Sequence, residues 1–316
     1  MRYNFADTSQ RLRRRSPLDT SATGGLPDTR PDGTAGLTRP SRALIGWMTP
    51  AQAEMVLGGN TLGKEVSAEH RELARRAREA VAGRPAGIDQ TDVVSELPPE
   101  LEEHAARLRQ SPAGAAMFQQ GWDVALVDLA RVCAFQPAIV ADAAVERVQD
   151  VKADDLAAIA AITLPTSPAE PPRVQFDPSR QAYMVASPNL NLKIVGTANG
   201  PAPDGSGGVV LGFTVLAPPS FVNVVRFQDR VLLRDGNHRA YGFLSRGITH
   251  VPAFARTMEA IEDVIPPGTF LPQHSYLGDR PPVLRDYLDD QVASTVRLPA
   301  VQKMVVIQGI ELTPGA

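Results

Sequence analysis

The chain has 316 residues, of which 43% are hydrophobic, 28 are proline and one is cysteine, and its formal net charge is −3. This composition excludes a disulfide-rich framework, and the charge gives no overall electrostatic attraction to nucleic acid. No apolar run approaches the roughly 18 residues of a membrane-spanning helix, and no signal-peptide core begins the chain, so we expect a cytoplasmic protein with no membrane partner.

Residues 1–42 are predicted to form a disordered tail. This stretch has many glycines and prolines among Thr, Asp and Arg, with few neighbouring apolar residues. Such a segment cannot bury enough apolar surface to offset the entropy lost on ordering.

Residues 43–163 are predicted to form a helical domain. Thr49-Pro50, Ser67 and Asp154-Asp155 are typical starts of helices. The strongest pattern predicts a helix that begins at Ser111 and continues to Cys133. Its apolar residues recur at helical spacing, and they are Phe118, Trp122, Ala125, Leu126, Leu129 and Val132. Cys133, on this face, is interpreted as a small buried residue.

Residues 164–316 are predicted to form a small mixed α/β domain with a C-terminal extension. Short runs of β-branched and aromatic residues alternate here with Pro, Asn, Asp and Gly, which is typical of strands. The runs are Val174–Phe176, Tyr183–Ala186, Leu192–Val195, Val209–Val215 and Phe221–Phe227. The whole chain is therefore assigned to the α+β class.

The segment from Val231 to Arg256 has the clearest chemistry in the chain. An apolar run ends at Asp235-Gly236, a pair typical of turns, and apolar residues then recur at helical spacing until Gly247. A further strand is predicted over Val251–Phe254. The segment thus predicts a strand, a turn, a helix and a strand.

The start of the predicted helix is a candidate phosphate-binding loop. Free backbone N–H groups and the positive end of the helix dipole attract anions there. Four consecutive residues are the predicted phosphate ligands, namely Gly236, Asn237, His238 and Arg239. Arg239 offers a planar donor fork, and His238 could stabilise or shuttle charge as a catalytic residue. Asp235, the second candidate catalytic residue, could orient a partner or help to hold Mg²⁺.

These five residues, with Ala240, the helix end from Leu244 to Gly247 and Val251-Pro252, resemble the signature of the ParB/sulfiredoxin-like superfamily. The resemblance covers about residues 208–256 only, and the loop is closest in type to the free-serine kinase-like members. It implies a loop that binds nucleotide phosphates, with ATP, ADP or CTP as ligand. Asn237 stands where a sulfiredoxin has its catalytic cysteine, so the resemblance does not extend to that chemistry. A helix-turn-helix of the kind that follows the loop in partition proteins is not recognisable here.

Three functions remain open at this point. The first is a nucleotide- or phosphate-binding enzyme, a phosphotransferase or nucleotide hydrolase acting on a nucleotide or phosphorylated small molecule. The second is a nucleic-acid-binding or nuclease module of the partition-protein type, which the net charge disfavours. The third is a non-catalytic interaction protein. No His or Asp pair shows a recognised spacing for a resident metal site, and the sequence does not define the oligomeric state.

Overall fold

The structure, a computed structural model, describes residues 38–59, 67–167, 170–187, 189–203, 205–265, 270–299 and 303–309. Most of the predicted tail, residues 1–37, lies outside these ranges. Thr38–Ala43 form the first strand, β1, so the tail predicted to reach residue 42 extends too far. The strand was missed because its sequence, TRPSRA, has no large apolar residue that would mark a buried face.

The described residues contain both helices and strands, which is compatible with the α+β class. The further strands are β2 (Val94–Ser95), β3 (Asp123–Asp128), β4 (Ala138–Val140), β5 (Arg173–Asp177), β6 (Ala182–Ser187), β7 (Lys193–Pro201), β8 (Val209–Leu216), β9 (Asn223–Phe227), β10 (Arg230–Asp235), β11 (His250–Thr257), β12 (Ser294–Pro299) and β13 (Lys303–Gln308). The helices are α1 (Pro50–Leu57), α2 (Ala68–Ala82), α3 (Glu102–Gln110), α4 (Pro112–Gln119), α5 (Ala141–Glu146), α6 (Leu156–Thr163), α7 (Asn237–Ser245), α8 (Ile261–Val264) and α9 (Gln273–Tyr276). Short 3-10 helices occur at Ile45–Trp47, Pro99–Leu101 and Leu284–Leu288.

The main sheet has five strands in the order β10-β9-β11-β3-β2. Its centre is β11, which pairs parallel to β9 and antiparallel to β3. Phe254 of β11 is fully buried, and its ring packs edge-on against those of Phe118 and Phe221. The sheet therefore supplies the centre of the hydrophobic core, from which β10 leads into α7.

Three smaller sheets accompany the main sheet in the described ranges. Their orders are β12-β1-β4, β13-β6-β5 and β7-β8. The last two contain strands with many exposed positions, in contrast to β9, in which four of five residues are buried. Sheet surface on this part of the molecule is thus left uncovered by the described residues.

Helix starts follow the predicted caps. Thr49 accepts a hydrogen bond from the Gln52 amide and forms a capping box, and Ser67 and Asp155 accept hydrogen bonds from amides three residues on. Each cap satisfies a donor that the helix itself leaves free. The sequence-predicted beginnings of α1, α2 and α6 are confirmed.

The long helix predicted from Ser111 to Cys133 is wrong. The helix α4 ends at Gln119, Gly121 follows with φ +80°, and the chain then forms β3. A positive φ is cheap only for glycine, so Gly121 ends the helix. The apolar residues beyond it fit a strand because β3 lies between β11 and β2, where Val127 is fully buried.

The strands β2 and β3 fall within the range predicted to be a helical domain, yet they share a sheet with β9, β10 and β11 from the second predicted domain. The part described from Thr38 onward belongs to one compact unit. The division after residue 163 stays a prediction. Within the described ranges, no helix is both long and apolar enough to cross a membrane.

Candidate functional site

The turn between β10 and α7 has the form that the sequence predicts. β10 pairs antiparallel with β9, and Asp235 lies opposite Asn223. Gly236 follows with φ +94° and ψ 15°, and α7 begins at Asn237. A Cβ atom on Gly236 would lie 2.8 Å from Cγ2 of Val222 and 3.0 Å from its Cα. Glycine is therefore required here both for its left-handed conformation and for lack of space.

Asp235 holds this turn in place. One carboxylate oxygen, Oδ1, accepts the Gly236 amide at 2.6 Å, and the other, Oδ2, accepts the Ser220 hydroxyl at 3.0 Å. Both oxygens thus already have protein donors, and the side chain ties the turn to the segment that precedes β9.

Arg239 points into the protein and is only 8% exposed. Its Nη1 donates to the carbonyl oxygens of Ser220 at 2.6 Å and Ile162 at 3.1 Å, and its Nη2 donates to the Ser220 hydroxyl at 2.7 Å. Since that hydroxyl donates to Asp235, Ser220 links the buried cation to the carboxylate. Burial lowers the pKa of Arg239 to about 10, so the side chain remains charged at neutral pH. These donors serve the fold, and a phosphate contact by Arg239 stays a prediction.

His238 is largely buried beside these groups. Burial, followed by repulsion from Arg147, lowers its pKa to about 4, although Asp235 acts in the opposite direction. The imidazole is therefore neutral near pH 7. A neutral ring can donate or accept one hydrogen bond at each nitrogen, but it brings no positive charge to an anion.

Arg147 is a charged residue near the site that sequence reasoning missed. It caps the end of α5, is exposed, and acts electrostatically on both His238 and Arg239. α5 approaches α7 closely, because a Cβ on Gly242 would lie 2.3 Å from the Ala144 carbonyl oxygen. This packing brings Arg147 near the start of α7, although no local pattern in the sequence marks it as a functional residue.

Two buried asparagines beside the turn have side-chain oxygens without a hydrogen-bond partner. Asn237 is 7% exposed and Asn223 is 6% exposed, and the Oδ1 atom of each is unpaired within the described part of the chain. Rotating an amide by 180° exchanges its oxygen for its NH₂ group, so each side chain could present either a donor or an acceptor. Leaving such a group unpaired is costly in a protein interior. Asn223 had a signal in the sequence, as a polar residue between the apolar pairs Phe221-Val222 and Val224-Val225.

The helix start itself has no side-chain cap. Gly236 occupies the N-cap position, and it has no side chain that could accept a hydrogen bond from the first turn of α7. The amides of this turn therefore lack the partner that an N-cap side chain usually gives them. The four predicted phosphate-binding residues thus lie together at the start of α7. Asn237 and His238 are the first two residues of the helix.

A cavity of about 480 Å³ lies elsewhere, between the end of α1, the first turns of α2 and residues Ser294 to Arg297 of β12. None of the predicted site residues lines it. We place the candidate site at α7 because of its unpaired polar groups and not because of cavity size.

The donor set argues against a resident metal at the turn. Both oxygens of Asp235 accept protein hydrogen bonds, and no group of three or more His, Cys, Asp or Glu residues in the described ranges could hold an ion. Mg²⁺ usually binds through one or two carboxylates together with substrate phosphates. A Mg²⁺ ion here would depend on a nucleotide for most of its ligands.

Comparisons with known proteins leave the chain without an assigned family. No protein-family model, curated protein or solved structure matches it. The resemblance to the ParB/sulfiredoxin-like superfamily therefore stays a prediction that the residues of the loop carry.

Proposed function

We propose that the chain binds a nucleotide or another phosphorylated small molecule at the first turn of α7, within a domain of the ParB/sulfiredoxin-like type. The observation that carries the proposal is Asn237, a buried side chain with an unpaired amide oxygen at an uncapped helix start. A ligand that pairs with this amide and with the free backbone N–H groups would remove the cost of leaving them unpaired.

Phosphate suits this position better than a neutral ligand. The amides of the first helical turn point toward the ligand, and the helix dipole favours negative charge there. Asn237 would donate through its NH₂ group after an amide rotation, and neutral His238 would donate through one ring nitrogen. Arg147 would supply the mobile positive charge, a role that the buried Arg239 is poorly placed to fill.

The reaction that such a site would serve is phosphoryl transfer or nucleotide hydrolysis. These reactions depend mainly on positioning and on stabilising charge at the transferring group. Arg147 and the helix amides would stabilise that charge, and neutral His238 could accept a proton from an attacking hydroxyl or water. Asp235 would act indirectly, by fixing the turn through Gly236 and Ser220. ATP, ADP and CTP are the candidate nucleotides, and Mg²⁺ could enter with their phosphates.

The test is calorimetric titration of the full chain with ATP, ADP, CTP and inorganic phosphate, in parallel with an assay of phosphate release. Asn237→Asp places a carboxylate at the proposed phosphate contact with almost no change of size. Arg147→Ala removes an exposed cation, and Arg173→Ala, on the exposed strand β5, is the matched control. Because a hydrogen bond to a charged group contributes about 1.5–3 kcal/mol, we expect Asn237→Asp and Arg147→Ala to bind about ten- to a hundredfold more weakly. Arg173→Ala should bind like the wild type.

Two results would count against the site. Wild-type protein that binds none of these ligands at millimolar concentration would remove the basis of the proposal. Equal affinity of wild type and Asn237→Asp would show that phosphate binds somewhere else. Arg147→Ala keeps the test informative if Asn237→Asp fails to fold, which circular dichroism would reveal.

A further inference from the structure

The hairpin of β7 and β8 has one apolar face that leads away from the protein. In β8, Val215, Phe213, Leu211 and Val209 alternate with Leu216, Thr214, Gly212 and Val210, so the first four share a face. Val215 and Val305 pack against a small core formed by Val185, Leu192 and Ala217. Beyond it the exposed fraction rises, from 39% at Phe213 to 65% at Leu211 and 70% at Val209. The apolar face therefore continues past the point where the chain covers it.

The three-stranded sheet β13-β6-β5 presents a second apolar face beside the same small core. Val185 lies opposite Val174 and Val305 on neighbouring strands, and two residues along the strands Tyr183 lies opposite Phe176. Val174, Phe176 and Tyr183 are all exposed, and the two rings are 4.8 Å apart. A soluble chain rarely exposes so much contiguous apolar surface unless a partner covers it.

The free edge of β8 lacks the features that normally prevent strands of different molecules from pairing. In the described ranges this hairpin pairs with no further strand, so one edge of β8 is open. β8 runs VVLGFTVL, with no charged residue and no proline. β7, in contrast, has Lys193 and Pro201 and a bulge between Ile194 and Gly196. Charges, prolines and bulges protect edges, so β7 is protected and β8 is not.

We propose that the occupant of this surface is a second copy of the chain, which pairs antiparallel along β8 and places its own face of Val174, Phe176 and Tyr183 over Val209, Leu211 and Phe213. Two identical strands can always pair antiparallel about a two-fold axis, and this is the commonest symmetry of homo-oligomers. Because β8 has no charged side chain, the pairing brings no like charges together. By the same two-fold symmetry, the β8 face of each copy covers Val174, Phe176 and Tyr183 of the other.

The available area is of the size that a dimer requires. Six large side chains, each roughly half exposed, offer on the order of 600 Å² per copy, close to the approximately 800 Å² per partner of a typical stable interface. The backbone hydrogen bonds between the two β8 strands add to this contact. The surface involves none of the residues at the start of α7, so it is independent of the proposed ligand site.

The test compares two lysine substitutions at neighbouring positions of β8. Leu211→Lys lies on the proposed interface face, and Val210→Lys, which is also exposed, lies on the opposite face. Sedimentation velocity of the full chain over a concentration series should show wild type at twice the mass of the 33.9 kDa chain. The dimer of Val210→Lys should be only slightly weaker, because this lysine stays in water, where like charges repel weakly. Leu211→Lys should weaken the dimer by at least about thirtyfold, because it buries an unpaired charge in the interface. Because both sites are exposed, thermal unfolding of the separated monomers should be nearly unchanged.

The proposal fails if the wild-type chain stays monomeric to submillimolar concentration, or if Leu211→Lys dimerises as tightly as Val210→Lys. It also fails if Val210→Lys abolishes the dimer to the same extent. A monomer that co-sediments with vesicles of phosphatidylcholine and phosphatidylglycerol, with loss of binding in Leu211→Lys, would assign the face to a lipid surface instead.

Discussion

His238 should make the folded chain less stable in mild acid. Its pKa is about 4 in the folded protein and about 6.5 in an unfolded chain. Between these values the unfolded state binds the proton more readily, so stability is unaffected above about pH 6.5 and is lost as the pH falls toward 4. From the two pKa values, the loss is about 2 kcal/mol at about pH 5 and approaches roughly 3 kcal/mol below pH 4. Replacing His238 by Gln should remove this loss.

Urea unfolding near pH 7.5 and near pH 5, followed by circular dichroism, measures the effect. The fall in the free energy of unfolding between the two pH values should be about 2 kcal/mol larger in wild type than in His238→Gln. His250→Gln removes an exposed histidine and should behave like wild type. Carboxylates also gain protons as the pH falls over this range, but they are the same in all three proteins, so their effect on stability cancels in the comparison. If wild type and His238→Gln lose equal stability, the pKa of His238 is not lowered in the folded chain, and the reasoning from its burial is wrong.

Further predictions concern the turn and the single cysteine. Gly236→Ala should lower the free energy of unfolding by about 2–4 kcal/mol, for two reasons. Alanine is strained in the left-handed conformation, and its Cβ atom would collide with Val222. Gly247 also has a positive φ, +76°, but its Cβ position is open, so Gly247→Ala should lower the free energy of unfolding by only about 1–2 kcal/mol in the same urea titration. Equal losses in the two variants would show that the collision with Val222 does not occur. Burial raises the pKa of Cys133 to about 12, so a thiol reagent should label it only after unfolding, and Cys133→Ser should leave any phosphate release intact. Rapid labelling of the native protein, followed by mass spectrometry, would contradict this.

The order from β10 through α7 to β11 could be predicted because each step has a local physical cause. Asp235-Gly236 is a pair typical of turns, and Gly247 permits a left-handed end to the helix. The apolar residues recur at helical spacing between these two points and form short strand-like runs before and after them. Residues 235–239 are consecutive, so their position at one helix start needed no knowledge of the tertiary structure.

The features that the sequence did not predict depend on contacts between distant segments. The direction of Arg239 is set by carbonyl groups of Ser220 and Ile162, which no local pattern connects to the loop. Arg147 comes near the site only because α5 packs on α7. The strand β3 was predicted as a helix because its apolar residues fit the spacing of a helix as well as that of a strand. Gly121 was the local sign that the helix ends before β3.

The pairing of β3 with β11 also affects how the chain reaches its fold during synthesis. Asp128 pairs with His250, so the ribosome has to add more than a hundred further residues after β3 before the strand with which it pairs, β11, has been synthesised. At the usual pace of translation this interval is on the order of ten seconds, during which the apolar side chains of β3 lack that cover. Closing so large a loop also slows the search for the native pairing. The central sheet therefore forms late, and the nascent chain depends on remaining unaggregated until β11 has emerged.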